Sequence, residues 1–366
     1  MEIVVRKFKT ILFNLAIVVL NLIFSLSIVE VFFYFKPDAI PAVIRSEYFI
    51  SDIATPPGTK PDLLTGFKYA PAVSINIPFE GGSYTLTTTT IIDPDTGFRD
   101  DGVTSVPYGI VLGDSITACA GVNIENCWVE LLEQKTGRDF VNMGVSGYGA
   151  DLQYRMLKNY GLPLKPKVVL WVFFANDMIQ GWRFKEFGQG AITDGEFWDK
   201  PIVSWLAKHS NIFLVLSYFW YERNFFQYLY SSNPTIAGNT TLAWWLAYSD
   251  INIPEVREGL ERNKYLILKS FQETTENTDS KFIVVIIPFR EQVIYRDEEF
   301  RTIFDKGGDS IVSYCQEQNI PVIDLTPAIK EKYDAEVLFF QDSHLNERGN
   351  KVVAEILSQK LKEILP

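Results

Sequence analysis

The sequence predicts an α/β fold built on a parallel sheet with helices on both faces. Three observations carry that reading. Short runs that are apolar without alternation recur along the chain, among them KVVLWVFF at 167–174 and KFIVVII at 281–287, as strands buried on both faces do. Segments of helical periodicity stand between them, and such alternation builds a parallel sheet through crossover helices. Polar, Gly-rich stretches follow the runs directly, where open α/β sheets bind their ligands.

Residues 11–29 form nineteen consecutive positions without a charge, and 31–35 extend the run past Glu30. A helix crossing a bilayer core needs about twenty apolar residues. Arg6, Lys7 and Lys9 precede the run, and a basic flank of this kind stays in the cytoplasm. The sequence therefore predicts a cytoplasmic tail (1–10), a single transmembrane anchor (11–35) in the lipid bilayer of the cell membrane, and an extracytoplasmic remainder. A cleaved signal peptide is the rival. Its nearest small-residue site, Ser25-Leu26-Ser27, lies inside the apolar run, so an uncleaved anchor is favoured.

Residues 36–106, rich in Pro, Gly and Thr, read as a strand-containing lead-in. The alternating domain occupies 107–366. Its strands are expected at 109–112, 140–143, 167–174, 281–287 and 320–325, and helices at 128–135, 152–160 and 350–365. An insertion at about 181–275 separates the third and fourth strands. Six of the eight Trp fall within 181–250, which favours a helical subdomain with an aromatic core. A substrate lid or a surface at the membrane interface are the functional alternatives.

Composition excludes several classes. With 47% hydrophobic residues the chain is not a disordered one. A net charge of −11 offers no basic surplus for nucleic acid. Two His and no C-x-x-C pair leave no His-rich or Cys-rich metal set, and no metal or cofactor is expected. Of the three Cys, Cys119 and Cys127 could pair and leave Cys315 free, or all three could be buried thiols.

Four segments carry candidate chemistry. The first strand runs into Gly113-Asp114-Ser115, which puts a hydroxyl at or near a helix N-terminus, where N–H groups face a developing anion. The second runs into Asn142-Met-Gly-Val-Ser-Gly147, and a Gly N–H is a usable oxyanion donor. The third ends at Asn176-Asp177, whose amide is another. Near the C-terminus, Asp342-Ser343-His344 precedes the closing helix, with Asn346 as its cap. A hydroxyl needs a base to act as a nucleophile. The only imidazoles are His209 and His344. His209 has no acidic neighbour in sequence, whereas Asp342 can orient His344.

These four ordered segments resemble the SGNH hydrolases, the GDSL-type lipase/esterase family, over roughly 95–180 and 280–366. Gly97-Phe-Arg-Asp100 resembles a lead-in of membrane-anchored bacterial members. The resemblance implies a flavodoxin-like three-layer α/β/α sandwich. It implies Ser115 as nucleophile, His344 as base, and Ser115, Gly147 and Asn176 as the oxyanion hole. Two positions depart from the family pattern. Phe174 stands where Gly is usual in Gly-x-Asn-Asp. The usual Asp-x-x-His is here Asp342-Ser-His344, which makes Asp342 the expected orienting carboxylate at a shortened spacing. The expected activity is that of a serine ester hydrolase or O-acyltransferase acting on acyl-ester glycans or lipids outside the cytoplasm. The alternative is a non-catalytic, membrane-tethered binding or assembly protein on the same fold.

Overall fold

The structure is a computed structural model. It describes residues 2–36, 56–62, 64–80, 82–91, 94–102, 106–180, 210, 212–213, 245–246, 248–295, 297–332, 334 and 337–365. The chain divides into two compact units, residues 1–54 with 200–228, and residues 55–199 with 229–366.

The first unit contains the helix α1 (Glu2–Phe35). Glu30, the one charge inside its apolar run, accepts hydrogen bonds from the Ser210 hydroxyl and the Ile212 N–H, both at 3.0 Å. The expected span at 11–35 thus lies within one continuous helix. Among the described residues, however, no helix is long and apolar enough to cross a membrane. The side chains of residues 2–12, 15, 16, 19, 22 and 23 lie outside the described part.

The second unit opens with the lead-in, three antiparallel pairs: β1 (Thr59–Asp62) with β2 (Gly66–Tyr69), β3 (Ser74–Phe79) with β4 (Gly82–Thr87), and β5 (Thr89–Thr90) with β6 (Gly97–Phe98). Buried polar groups tie it down. The Lys68 ammonium donates to Thr96 Oγ1 (2.8 Å) and Tyr160 OH (3.0 Å) and pairs with Asp62 at 3.2 Å. The fully buried Arg99 lies 5.2 Å over the Tyr84 ring and donates to the Val122 carbonyl.

The sandwich follows as β7 (Gly109–Leu112), α2 (Trp128–Thr136), β8 (Phe140–Asn142), α3 (Ala150–Met156), β9 (Val168–Phe173), α4 (Pro254–Asn277), β10 (Lys281–Ile286), α5 (Arg290–Ile294), α6 (Glu298–Glu317), β11 (Val322–Asp324), α7 (Thr326–Lys332) and α8 (Glu347–Ile364). Gly137 ends α2 in the left-handed conformation, as helix C-termini favour. Asn346 caps α8 by accepting the Arg348 and Gly349 N–H groups. The five strands are parallel in the order β11-β10-β9-β7-β8. Order reverses at β7, whose neighbours are β8 and β9, the doubly wound pattern with its ligand crevice beside that switch point. Helix α2 packs with α8, while α4 packs with α3 and α6; right-handed crossovers place these groups on opposite faces.

α4 is the crossover helix of the sandwich, though its residues fall within the range expected to be the insertion. The aromatic stretch itself lies almost wholly outside the described residues. At the open edge of β8, carboxylates take the outward N–H groups: Glu133 accepts from Phe140 (2.6 Å) and Asp100 from Asn142 (3.2 Å). Asp100, Asp101 and Glu130 bring carboxylate oxygens within 4.8 Å of one another there.

Candidate active site

The turn after β7 presents Ser115. A Cβ on Gly113 would lie 1.9 Å from Thr117 Oγ1, so only glycine permits the backbone to turn there. The expected helix at Ser115 does not form. Residues 114–121 make successive turns, with the Ala118 N–H on the Asp114 carbonyl (2.9 Å) and the Ala120 N–H on that of Ser115 (3.0 Å). Positive φ at Cys119 (54°) and Gly121 (95°) breaks helical continuity. Cys119 and Cys127 form a disulfide, and Cys315 is a buried free thiol. From behind, Trp128 Nε1 donates to the Ile116 carbonyl (3.1 Å) and Asn142 Nδ2 to that of Thr117 (2.8 Å). The turn that carries Ser115 is therefore pinned by α2, β8 and a covalent bridge.

His344 Nε2 lies 2.9 Å from Ser115 Oγ, and Nδ1 lies 2.9 Å from Asp342 Oδ2. An ionised carboxylate only accepts hydrogen bonds, so Nδ1 carries the proton and Nε2 accepts from the Ser115 hydroxyl. Burial pushes the Asp342 carboxyl up, but the hydrogen bonds and charge of His344 hold it below its ordinary value. Asp342 Oδ1 also accepts the His344 backbone N–H at 3.1 Å. The Phe79 ring from β3 stands edge-on to the imidazole at 5.7 Å and against Phe340 at 5.1 Å.

Asn176 follows β9. One N–H of its amide goes to Asp114 Oδ2 at 2.9 Å, and the second is the donor available to an oxyanion. Asp114 Oδ1 accepts the Ile116 N–H at 2.9 Å. Behind this pair lies Asp177, which accepts from Phe174 N–H (3.0 Å) and Gln153 Nε2 (3.2 Å). Burial pushes both carboxyls up, and the nearby Asp114 pushes Asp177 further, well above its ordinary value. The buried Asp114 thus sets the tilt of the Asn176 amide.

A cavity of about 170 Å³ opens on Ser115, Asn176 and His344, with Phe174, Ile179 and Trp245 among its apolar lining. Trp245 stacks on Phe289 at 4.5 Å, and Phe174 meets Trp245 edge-on at 5.4 Å. Phe174, in the family's usual Gly position, is therefore a wall of the site. Gly147 stands in the turn after β8 at φ 85°, a left-handed backbone that suits glycine. It does not line the cavity. His209 lies outside the described residues.

Sequence reasoning missed Phe79 and Glu291. Phe79 reaches the imidazole only through tertiary packing of the lead-in. Glu291 lies in α5, the first helix after β10, and the rule that chemistry clusters beyond strand ends could have found it. Its carboxylate, pushed up by burial and held back by the Ser343 hydroxyl, accepts from that hydroxyl at 2.6 Å.

No curated protein matches the chain by sequence. Among solved structures it is similar to a catalytic mutant of the acetylxylan esterase Axe2 from Geobacillus stearothermophilus. That likeness is 15% identical, covers 72% of this chain and 96% of that one, and has a TM-score of 0.42. It is also similar to a member of the lipolytic protein G-D-S-L family from Veillonella parvula, at 15% identity, 70% and 97% coverage and a TM-score of 0.39. The profile of the GDSL-like Lipase/Acylhydrolase family matches residues 111–352, a range that takes in Ser115, Asn176, Asp342 and His344 together. The chain belongs to the GDSL-like lipase/acylhydrolase family and is a carboxylic ester hydrolase.

Proposed function

We propose that the protein is a membrane-anchored serine esterase or O-acyltransferase that removes or moves a short acyl group on an extracytoplasmic glycan or lipid. The chain of contacts from Asp342 through His344 to Ser115 carries this reading. Ser115 Oγ attacks the ester carbonyl while its proton passes to His344 Nε2. The backbone N–H of Ser115 and the second N–H of Asn176, both at the cavity, hold the tetrahedral oxyanion; the Gly147 N–H is the third donor that the family resemblance implies. The C–O bond to the alcohol breaks, the alcohol leaves with the proton from Nε2, and an acyl-Ser115 ester remains. Water or an acceptor hydroxyl, deprotonated by the same nitrogen, then takes the acyl group and frees Ser115. Asp342 keeps Nδ1 protonated and stabilises the imidazolium.

The small cavity walled by Phe174, Ile179 and Trp245 supports a short acyl group. The Cys119–Cys127 disulfide supports an oxidising, extracytoplasmic location. Phe13, Leu20, Phe24 and Phe35 of α1 are each more than 60% exposed, and apolar surface of that extent on one element supports burial in a bilayer. The basic residues Arg6, Lys7 and Lys9 support a cytoplasmic N-terminus.

A fluorophosphonate probe tests the chemistry, and p-nitrophenyl esters of increasing chain length test the acyl group. Labelling at Ser115, slowed greatly in His344→Ala, with acetate ester preferred over octanoate, is expected. Labelling that survives Ser115→Ala rejects the mechanism. A reporter fused after Pro366 that scores as cytoplasmic rejects the topology.

A further inference from the structure

The shortened Asp-x-His spacing requires a device to bring the two side chains together, and the structure contains one. Phe339 and Leu345 pair as an antiparallel bridge. Between them the Phe340 N–H donates to the His344 carbonyl at 2.8 Å, and the Ser343 N–H to the Phe340 carbonyl at 3.2 Å. This is a three-residue hairpin loop, 341–343, whose third position is left-handed: Ser343 has φ 74°. Loops of this kind place glycine there, because any Cβ is strained. A serine in that position needs a compensating contact. Ser343 is 1% exposed, and its Oγ donates to Glu291 Oε2 at 2.6 Å. Glu291 is itself buried, at 2% exposure, on α5 at the C-terminal end of β10.

We propose that Ser343 and Glu291 are positioning residues, a clamp that holds the hairpin loop in its left-handed turn so that Asp342 meets Nδ1 while Nε2 faces Ser115. The clamp rests on the reading of Ser115, His344 and Asp342 as the reacting set. It acts through the imidazole: Ser343 borders the cavity, but its hydroxyl is committed to Glu291. It connects the fourth strand of the sheet to a site otherwise assembled after the first, second and third strands and before α8. A loosened loop would let the carboxylate and the imidazole drift, and displacement of about 1 Å costs roughly 10²-fold in rate.

The test uses the full chain in detergent with p-nitrophenyl acetate and a fluorophosphonate. Ser343→Ala and Glu291→Leu should each lower kcat by about ten- to a hundredfold, with KM nearly unchanged and Ser115 labelling slowed in parallel. Glu291→Gln retains an acceptor oxygen for Ser343 and should recover most of that loss. Ser343→Gly relieves the backbone strain, so it folds without the hydroxyl, yet it should still lose kcat because nothing fixes the loop. The double variant Ser343→Ala/Glu291→Leu should be no worse than the poorer single. Wild-type kcat in folded Ser343→Gly, or a loss in Glu291→Gln equal to that in Glu291→Leu, overturns the clamp. Activity retained in Ser115→Ala would instead overturn the underlying assignment, so the two failures are distinguishable.

Discussion

Asn176 shows how one residue serves two ends. Its amide gives one N–H to the buried Asp114 carboxylate and, in the proposed mechanism, offers the other to the oxyanion. Asn176→Ala should therefore lower kcat by about 10²–10³ and also destabilise the fold by about 1–3 kcal/mol, since Asp114 loses a buried donor. Paired kinetics and urea melts check this; a kinetic loss with unchanged stability would mean that Asp114 finds another partner. Asp342 should behave differently. It is half exposed on its side chain, so Asp342→Asn should cost little stability while dropping kcat by up to about 10⁴ through the wrong imidazole tautomer. Near-wild-type turnover in Asp342→Asn would assign the orientation of His344 to another group. Ser115, Asn176 and His344 were legible because each directly follows an apolar strand or precedes a capped helix. Asp342 was legible only as a neighbour of His344, because its reach depends on the left-handed Ser343, which no local pattern of residue types announces.

At the scale of elements, the nucleophile turn illustrates what sequence periodicity omits. Ser115 reads as lying at or near a helix N-terminus, but Cys119 closes a disulfide with Cys127 and takes φ 54°. A covalent tie across eight residues overrides local propensity, and its formation depends on compartment as much as on pattern. Sheet strands were legible almost to the residue, since burial on both faces leaves no alternation to misread. Helix α4 was not separated from the aromatic insertion because composition changes within that range while chain continuity does not. The tie should stabilise by about 2–3 kcal/mol through the loop it closes. Cys119→Ser/Cys127→Ser, or reduction of the wild type, should lower Tm and slow fluorophosphonate labelling together. A reduced protein with unaltered labelling would show that Trp128 and Asn142 alone hold the turn.

Over the whole molecule, acidity is spread unevenly, and the edge of β8 concentrates it. Glu130 is 2% exposed, and its carboxyl lies against those of Asp100 and Asp101. Burial, then the neighbouring Asp100, Glu133 and Asp101, push its carboxyl up to about 10. Burial likewise pushes Glu133 to about 8 and Asp100 to about 6. Unfolded, these groups titrate near 4. Between pH 4 and the raised values the folded chain therefore binds protons that the unfolded chain has released, and stability falls as pH rises through that window. The opposite dependence belongs to Asp62, Asp95 and Asp342, whose carboxyls sit below their ordinary values. They contribute stability that is present above pH 4 and lost as pH drops below it. Tm should accordingly peak near pH 4 and decline steadily towards pH 9. Glu130→Gln removes a large proton difference without removing the side chain's volume. It should flatten the decline and leave the variant more stable than wild type at pH 8–9, with little change at pH 5. A wild-type melting profile that is flat from pH 5 to 9, or a Glu130→Gln profile parallel to it, would mean that the carboxylates at this edge are solvated or neutralised in the folded protein and do not hold protons there.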